Sequence, residues 1–210
     1  MIAIVDYGMA NLRSVEKALL LVGGDPVITV DPEVIAAADK VVLPGVGAFC
    51  AAMTNLNEHG LRDAIVGSIQ SGKPFLGICL GLQMLFSSST EMGSSNGLDI
   101  LPGRVVKFFE ESVPAGTDVS ELKVPHMGWN SIRPNPKSRL FEGIEDGDRV
   151  YFVHSYYPAP DDPSIISATC DYGTEFCCAI ERDNLAATQF HPEKSGAVGL
   201  RILRNFVCWR

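Results

Sequence analysis

The chain has 210 residues, 46% of them hydrophobic and 20% charged, with a formal net charge of -8. A chain of this length buries roughly 70% of the surface it would expose unfolded, so one domain spanning residues 1–210 is expected without disulfide or metal staples. The acidic balance argues against a nucleic-acid backbone or an anionic membrane as the main ligand.

Short β-branched runs alternate with helix-like stretches through the first part of the chain: IAIVD (2–6), SVEKALLLVG, PVITV (26–30), KVVLPG (40–45), a long segment to residue 72, and PFLGIC. That alternation predicts an α/β fold with an open, mostly parallel sheet and helices on both faces. Gly23-Gly24 reads as the end of the first helix, and Asp31-Pro32 and Gly72-Lys73-Pro74 as turns. Beyond residue 87 the texture changes, with loop composition in SSSTEMGSSNG (87–97) and ESVPAGTDVSE (111–121). GRVVKFF, RVYFVHSYY, SIISATC, FCCAIE and LAATQFH then read as strands of an antiparallel or mixed extension of the sheet. SGAVGLRILRNFVCW (195–209) closes the chain as an amphipathic helix with Val198, Ile202 and Phe206 near one face.

Cysteines at 50, 79, 170, 177, 178 and 208 form no C-x-x-C pair and no zinc-like spacing. Neither a disulfide framework, a metal nor a cofactor is expected. The start, MIAIVDYGMANLRS, lacks a basic region and carries Asp6 within its apolar run. The least polar windows, 41–53 and 74–86, contain Gly or Pro and fall short of the ~20 residues that cross a bilayer. A reducing, cytoplasmic setting without membrane attachment is expected.

Three segments carry chemistry. In KPFLGICLGLQMLF (73–86) a cysteine sits between two glycines where the strand-like half meets the helix-like half. A nucleophile on such a turn is lifted above the sheet edge, and flanking glycines remove Cβ atoms that would clash. The N–H of the next residue, Leu80, then points with the first helical turn towards an oxyanion, and a helix N-terminus favours a thiolate. A lone buried cysteine is also an ordinary small core residue. The second segment, QFHPEKS (189–195), follows the strand-like LAAT; in extended chain His191 and Glu193 project to the same side across Pro192, giving a base and a carboxylate to orient it. The third, LPGVGAF (43–49), brackets Val46 with glycines, so its backbone can turn an N–H into a cavity or form an ordinary turn.

In this order and at these separations the segments resemble the class I, triad-type glutamine amidotransferases: GICLGLQ matches that family's nucleophile elbow and QFHPEKS its His/Glu segment. The resemblance implies Cys79 as nucleophile, His191 as general base and acid, Glu193 as its orienter, and Val46, Gly47 and Leu80 around the oxyanion. It further implies Gln83, Ser155 and Tyr156 as glutamine-binding positions. DYGMANLRSV (6–15), LPGVGAF, VPHMGWN (124–130), YFVHSYY (151–157) and QFHPEKSG (189–196) narrow it to the glutaminase subfamily that serves imidazole glycerol phosphate synthases, along the whole chain.

In that subfamily glutamine is hydrolysed to glutamate and ammonia, and a separate (β/α)8-barrel synthase subunit receives the ammonia through a tunnel for histidine biosynthesis. A chain this short cannot include the barrel, so a heterodimer is implied. His126, Trp129, Tyr151, His154 and Lys194 become candidates for the partner interface or tunnel mouth, although Trp129 also reads as core, Tyr151 as a strand aromatic and Lys194 as a solvated charge. The glycine-bracketed strand at 44–47 is expected to gate activity by misdirecting one oxyanion donor until the partner binds. Glutaminases of other class I amidotransferases, or a free-standing cysteine hydrolase of γ-glutamyl compounds, use the same elbow.

Overall fold

Hydrophobic alternation in the first strands decides the layering. The computed structural model describes residues 1–110 and 118–209. In β1 (Ile2–Val5), Ile2 and Ile4 face one hydrophobic cluster, while Ala3 and Val5 face another on the opposite side of the sheet. The same division holds in β3 (Lys40–Gly45), with Val42 on the first side and Val41 and Leu43 on the second, and in β4 (Phe75–Cys79), with Leu76 and Ile78 opposed to Phe75. Side chains that alternate with period two, apolar on both faces, require cover on both faces.

That cover is helical. On the first side lie α1 (Leu12–Leu21) and the closing helix α6 (Gly196–Cys208), which contribute Val15, Ala18, Leu19, Ile202, Leu203 and Phe206. On the other lie α2 (Pro32–Ala37), α3 (Phe49–Glu58), α4 (Arg62–Gln70) and the short α5 (Leu80–Met84). Local chemistry sets their ends. Asp31 caps α2 by accepting Glu33 N–H at 2.8 Å, with Pro32 opening the helix, and Gly23 (φ +87°) with Gly24 N–H donating to Leu19 O at 2.9 Å closes α1.

With β2 (Pro26–Thr29), β8 (His126–Pro134), β9 (Arg149–His154), β11 (Ile166–Asp171), β12 (Glu175–Arg182) and β13 (Leu185–Thr188), the large sheet has nine strands in the order β2-β1-β3-β4-β13-β12-β11-β8-β9. Strands β2, β1, β3, β4 and β13 run parallel, and β12, β11, β8 and β9 extend the sheet antiparallel. This is the expected mostly parallel sheet with helices on both faces and an antiparallel extension.

Two expectations are corrected. Residues 87–97, expected as loop, include most of one strand (Phe86–Ser89) and a short second one (Ser95–Asn96), while the long segment to residue 72 divides into α3 and α4 at the Gly60 turn (φ +67°). The apparent strand RVYFVHSYY breaks at Ser155: β9 stays in the large sheet, while β10 (Tyr156–Pro160) joins β7 (Leu101–Lys107), β5 (Phe86–Ser89) and β6 (Ser95–Asn96) in a separate four-stranded sheet. The run of aromatic and β-branched residues on both sides of Ser155 reads as one strand, and a change of sheet leaves no mark in it. Of the loop expected at 111–121, residues 111–117 lie outside the described residues.

Between β4 and α5 the chain makes its tightest approach. A Cβ on Gly81 would stand 1.8 Å from Leu43 O of β3, and one on Gly77 would stand 3.0 Å from Gly81 backbone atoms and from Ala187 Cβ. Gly81→Ala is therefore expected to lower stability by about 3 kcal/mol or more. Gly67→Ala, in α4 where nothing lies within 4 Å of the new methyl, is expected to raise it by roughly 0.5–1 kcal/mol. Urea denaturation of both checks this; equal midpoints would refute the close-approach argument.

Candidate active site

Sheet register brings three strand ends to one rim. Gly45 pairs with Cys79, and Ile78 with Thr188, so the segments after β3, β4 and β13 leave the sheet side by side. Open α/β sheets bind ligands at this carboxyl edge. Cys79 sits at the junction of β4 and α5 with φ +55° and ψ -107°, a conformation that L-residues rarely adopt and that costs on the order of 1–3 kcal/mol. Gly77 and Gly81 answer the question posed by a cysteine between glycines: without side chains there, the first turn of α5 drops against β3 and the thiol is held at the rim.

His191 and Glu193 meet, by a route other than the strand alternation expected. Strand β13 ends at Thr188, His191 is extended (φ -97°, ψ 97°), and Pro192–Lys194 form a 3-10 turn that folds Glu193 back. His191 Nδ1 lies 2.8 Å from Glu193 Oε1, with side chains 3% and 1% exposed. His191 N–H donates to Tyr151 O at 3.0 Å, and Ser195 Oγ donates to His191 O at 2.6 Å. His191 Nε2 and Glu193 Oε2 are buried without hydrogen-bond partners. Burial by itself would lower the imidazole pKa; the Cys79 sulfur and the Glu193 carboxylate outweigh it and raise it to about 10.

A cavity of about 250 Å³ lies between these groups, and Cys79, Leu80, Gln83, His191, Val46, Gly47, Ser155 and Tyr156 all line it. The amide of Val46 is already engaged, however, donating to Met9 O at 2.9 Å. In this conformation the Val46 N–H points to Met9, the misdirected orientation expected of a gated donor. Gly47 holds φ +98°, and a Cβ there would stand 2.8 Å from Met9 Cε.

Among the interface candidates, Trp129 is 48% exposed, its ring 6.3 Å from that of Tyr151, and Lys194 Nζ lies 6.0 Å from the Tyr151 ring centroid. These three form one surface cluster beside His191. His126 and His154 do not join it. His126 is buried against Tyr172, with centroids 4.0 Å apart, and Phe152; His154 is buried and lines the cavity. Aromatic rings, those of Phe108 and Phe176 included, surround both.

One cavity residue and one buried neighbour of the cysteine escaped the sequence reading. Glu91 lines the cavity, its Oε2 accepting Phe49 N–H at 2.7 Å; an acid in the loop-like SSSTEMGSS carries no signal of that placement. Gln189 is fully buried, accepts from Gln83 at 3.1 Å and donates to Cys79 Sγ at 3.7 Å. A glutamine closing the apolar run LAAT was the available sign. The buried thiols elsewhere differ from Cys79 in setting: burial pushes Cys170 and Cys177 up to about 12 and Cys178 well above the usual thiol range.

The family model for glutamine amidotransferase class-I matches residues 3–209. The chain belongs to the class-I glutamine amidotransferase family. Within this family it is 55% identical over 205 residues to the imidazole glycerol phosphate synthase subunit HisH of Geobacter sulfurreducens, covering 98% of this chain and 97% of that one. It is 53% identical to the HisH subunit of Methanothermobacter thermautotrophicus, with 99% and 98% covered. A solved glutamine amidotransferase superposes with a TM-score of 0.72 at 17% identity, covering 97% of this chain and 96% of that one. The PurLQS structure from Thermotoga maritima gives 0.69 at 18% identity, covering 98% and 96%. These two likenesses establish the amidotransferase fold. No helix among the described residues is long and apolar enough to cross a membrane.

His126 Nδ1 and His154 Nε2 are 3.0 Å apart, and burial lowers the two imidazoles to about 4 and about 3 respectively. Both depressed values lie below the unfolded ~6.5, so their contribution to stability is complete above pH 6.5 and is lost as pH falls towards 4 and 3. The pair is expected to cost up to about 4 kcal/mol between pH 6.5 and 5. Denaturant titrations at both pH values check it: His126→Phe should flatten the dependence, and an unchanged slope would contradict the assignment.

Proposed function

We propose that this chain is the glutaminase subunit of an imidazole glycerol phosphate synthase, hydrolysing glutamine to glutamate and ammonia, which it passes to a separate (β/α)8-barrel synthase subunit. The observation that carries the reading is the buried His191–Glu193 pair, whose free Nε2 stands at the cavity lined by an elbow cysteine.

Each step then has a group. Cys79 thiolate attacks the side-chain carboxamide carbon, forming a tetrahedral adduct whose oxyanion takes the Leu80 N–H, which as the first of α5 has no intrahelical acceptor. The raised His191 is charged at neutral pH beside the sulfur, so it donates its proton to the departing nitrogen, and ammonia leaves as the thioester forms. Neutral His191 next takes a proton from water attacking the thioester; glutamate departs and the thiolate returns. Glu193 holds the ring and balances its charge throughout. Glu91, a carboxylate on the cavity wall, suits the α-ammonium group.

The Val46 bond to Met9 supports the gate at residues 44–47. An oxyanion donor is worth roughly 10²–10³ in rate, so turning one amide to Met9 keeps turnover low until the barrel subunit, docked at the exposed Trp129–Tyr151–Lys194 cluster, and the substrate in the cavity together release it.

Glutamine hydrolysis measured with and without the purified barrel subunit and its nucleotide substrate tests the reading. Cys79→Ala should abolish turnover, His191→Ala lower it about 10³-fold or more, and Glu193→Gln less, because an orienting group contributes less than the group it orients. Wild-type rates in the cysteine variant would overturn the mechanism, and full turnover without partner would favour a free-standing hydrolase. Gly47→Ala, placing a side chain at φ +98° against Met9, should lower stimulated turnover about 10²-fold; unchanged stimulation would end the gate.

A further inference from the structure

Continuous hydrogen bonds run from β8 along the cavity wall to the sulfur. Asn130 Nδ2 donates to Asp171 O at 2.9 Å and lies 3.3 Å from His126 Nε2. His126 Nδ1 is 3.0 Å from His154 Nε2, and His154 Nδ1 is 2.9 Å from Tyr156 O. The same carbonyl accepts Gln83 Nε2–H at 3.0 Å; Gln83 Nε2 also donates to Gln189 Oε1 at 3.1 Å, and Gln189 Nε2 to Cys79 Sγ at 3.7 Å.

The polarity of this line is determined at one atom. A backbone carbonyl only accepts, so the proton of His154 is on Nδ1 and the amide nitrogen of Gln83 faces Tyr156. A neutral His154 then accepts at Nε2, His126 donates from Nδ1, and His126 Nε2 accepts from Asn130. Burial, which keeps both imidazoles uncharged at neutral pH, agrees with this single assignment. With both Gln83 N–H groups turned into the wall, its Oε1 is the polar atom left to a side chain that lines the cavity.

We propose that His154, held in one neutral tautomer by His126, is a positioning residue for the substrate site: it fixes the Tyr156 carbonyl, and through it turns Gln83 Oε1 to the cavity as an acceptor for an N–H group of the substrate. This rests on the glutaminase reading. The wall thereby meets an amino-acid amide with an acceptor, which favours N–H donors and disfavours a carboxylate in the same place.

The test compares KM and kcat for glutamine in the complex with the barrel subunit. His154→Phe removes the donor to Tyr156 and should raise KM at least fivefold while kcat falls less than threefold. His154→Asn keeps an N–H where Nδ1 stood and should return KM to within twofold of wild type. Fold damage would instead lower kcat and thermal stability in both variants alike, and that outcome overturns the proposal, as does unchanged KM in His154→Phe. Nitrogen-15 NMR of wild-type imidazoles at pH 7 decides independently of variant folding: His154 protonated on Nδ1 alone is expected, and a charged ring or the opposite tautomer refutes it. Absence of glutamine turnover in the wild-type complex would fell the glutaminase reading itself, whereas turnover with an insensitive KM fells this inference alone.

Discussion

The close approach of α5 to β3 is the constraint on which the site depends. Leu43 O occupies the space where any side chain at position 81 would begin, so the helix leaves β4 at an angle that only glycine permits. Cys79 takes the left-handed backbone as the consequence, and its strain is borne by strands paired on both sides: β3 through Gly45 and β13 through Thr188. Because those neighbours are parallel, their own carboxyl ends arrive at the same rim, bringing the Val46–Gly47 turn and the His191 turn with them. Lifting α5 would displace Leu80 N–H and Gln83 together.

Burial then sets the chemistry. The imidazole and carboxylate of the His191 pair are almost wholly removed from water, which by itself opposes charge, yet each retains an atom without a partner. Unpaired buried polar atoms are costly, and they persist where a ligand or a reacting group completes them. The backbone holds the ring against that cost through Tyr151 O and the Ser195 hydroxyl, both bonded to His191 main-chain atoms. The thiols of Cys170, Cys177 and Cys178 show burial prevailing: removal from water outweighs the neighbouring groups that favour the charged form and raises all three.

The parallel half of the sheet was legible in sequence because short β-branched runs alternate with helix-like stretches, and the elbow because two glycines flank a cysteine where the pattern changes. The His–Glu pairing was legible as residue types, but its geometry was not: Pro192 starts a 3-10 turn, which no alternation announces. His126 and His154 misled for a physical reason. They were interface or tunnel-mouth candidates by resemblance, which carries no information on burial, and only tertiary packing brings Phe108, Phe152 and Phe176 around both rings. Glu91 and Gln189 depend on segments far apart in the chain, so their placement is a property of the fold rather than of any local motif.

The site is asymmetric in its readiness. On the β13 side the nucleophile's neighbours are assembled, with the imidazole oriented and its carboxylate in place. On the β3 side an amide that could face the cavity donates instead to Met9 O. The exposed ring cluster adjoins the first side: Tyr151 carries its ring between Trp129 and Lys194, while its own backbone accepts the His191 N–H and its N–H donates to Ser195 Oγ at 3.0 Å. Pressure on that cluster therefore reaches the imidazole through rigid main-chain bonds. The Val46 amide lies across the cavity, so turning it requires separate contacts at the Met9 segment or in the cavity itself. The two halves of the site are thus held from different directions, the imidazole from the ring cluster and the Val46 amide from the Met9 segment.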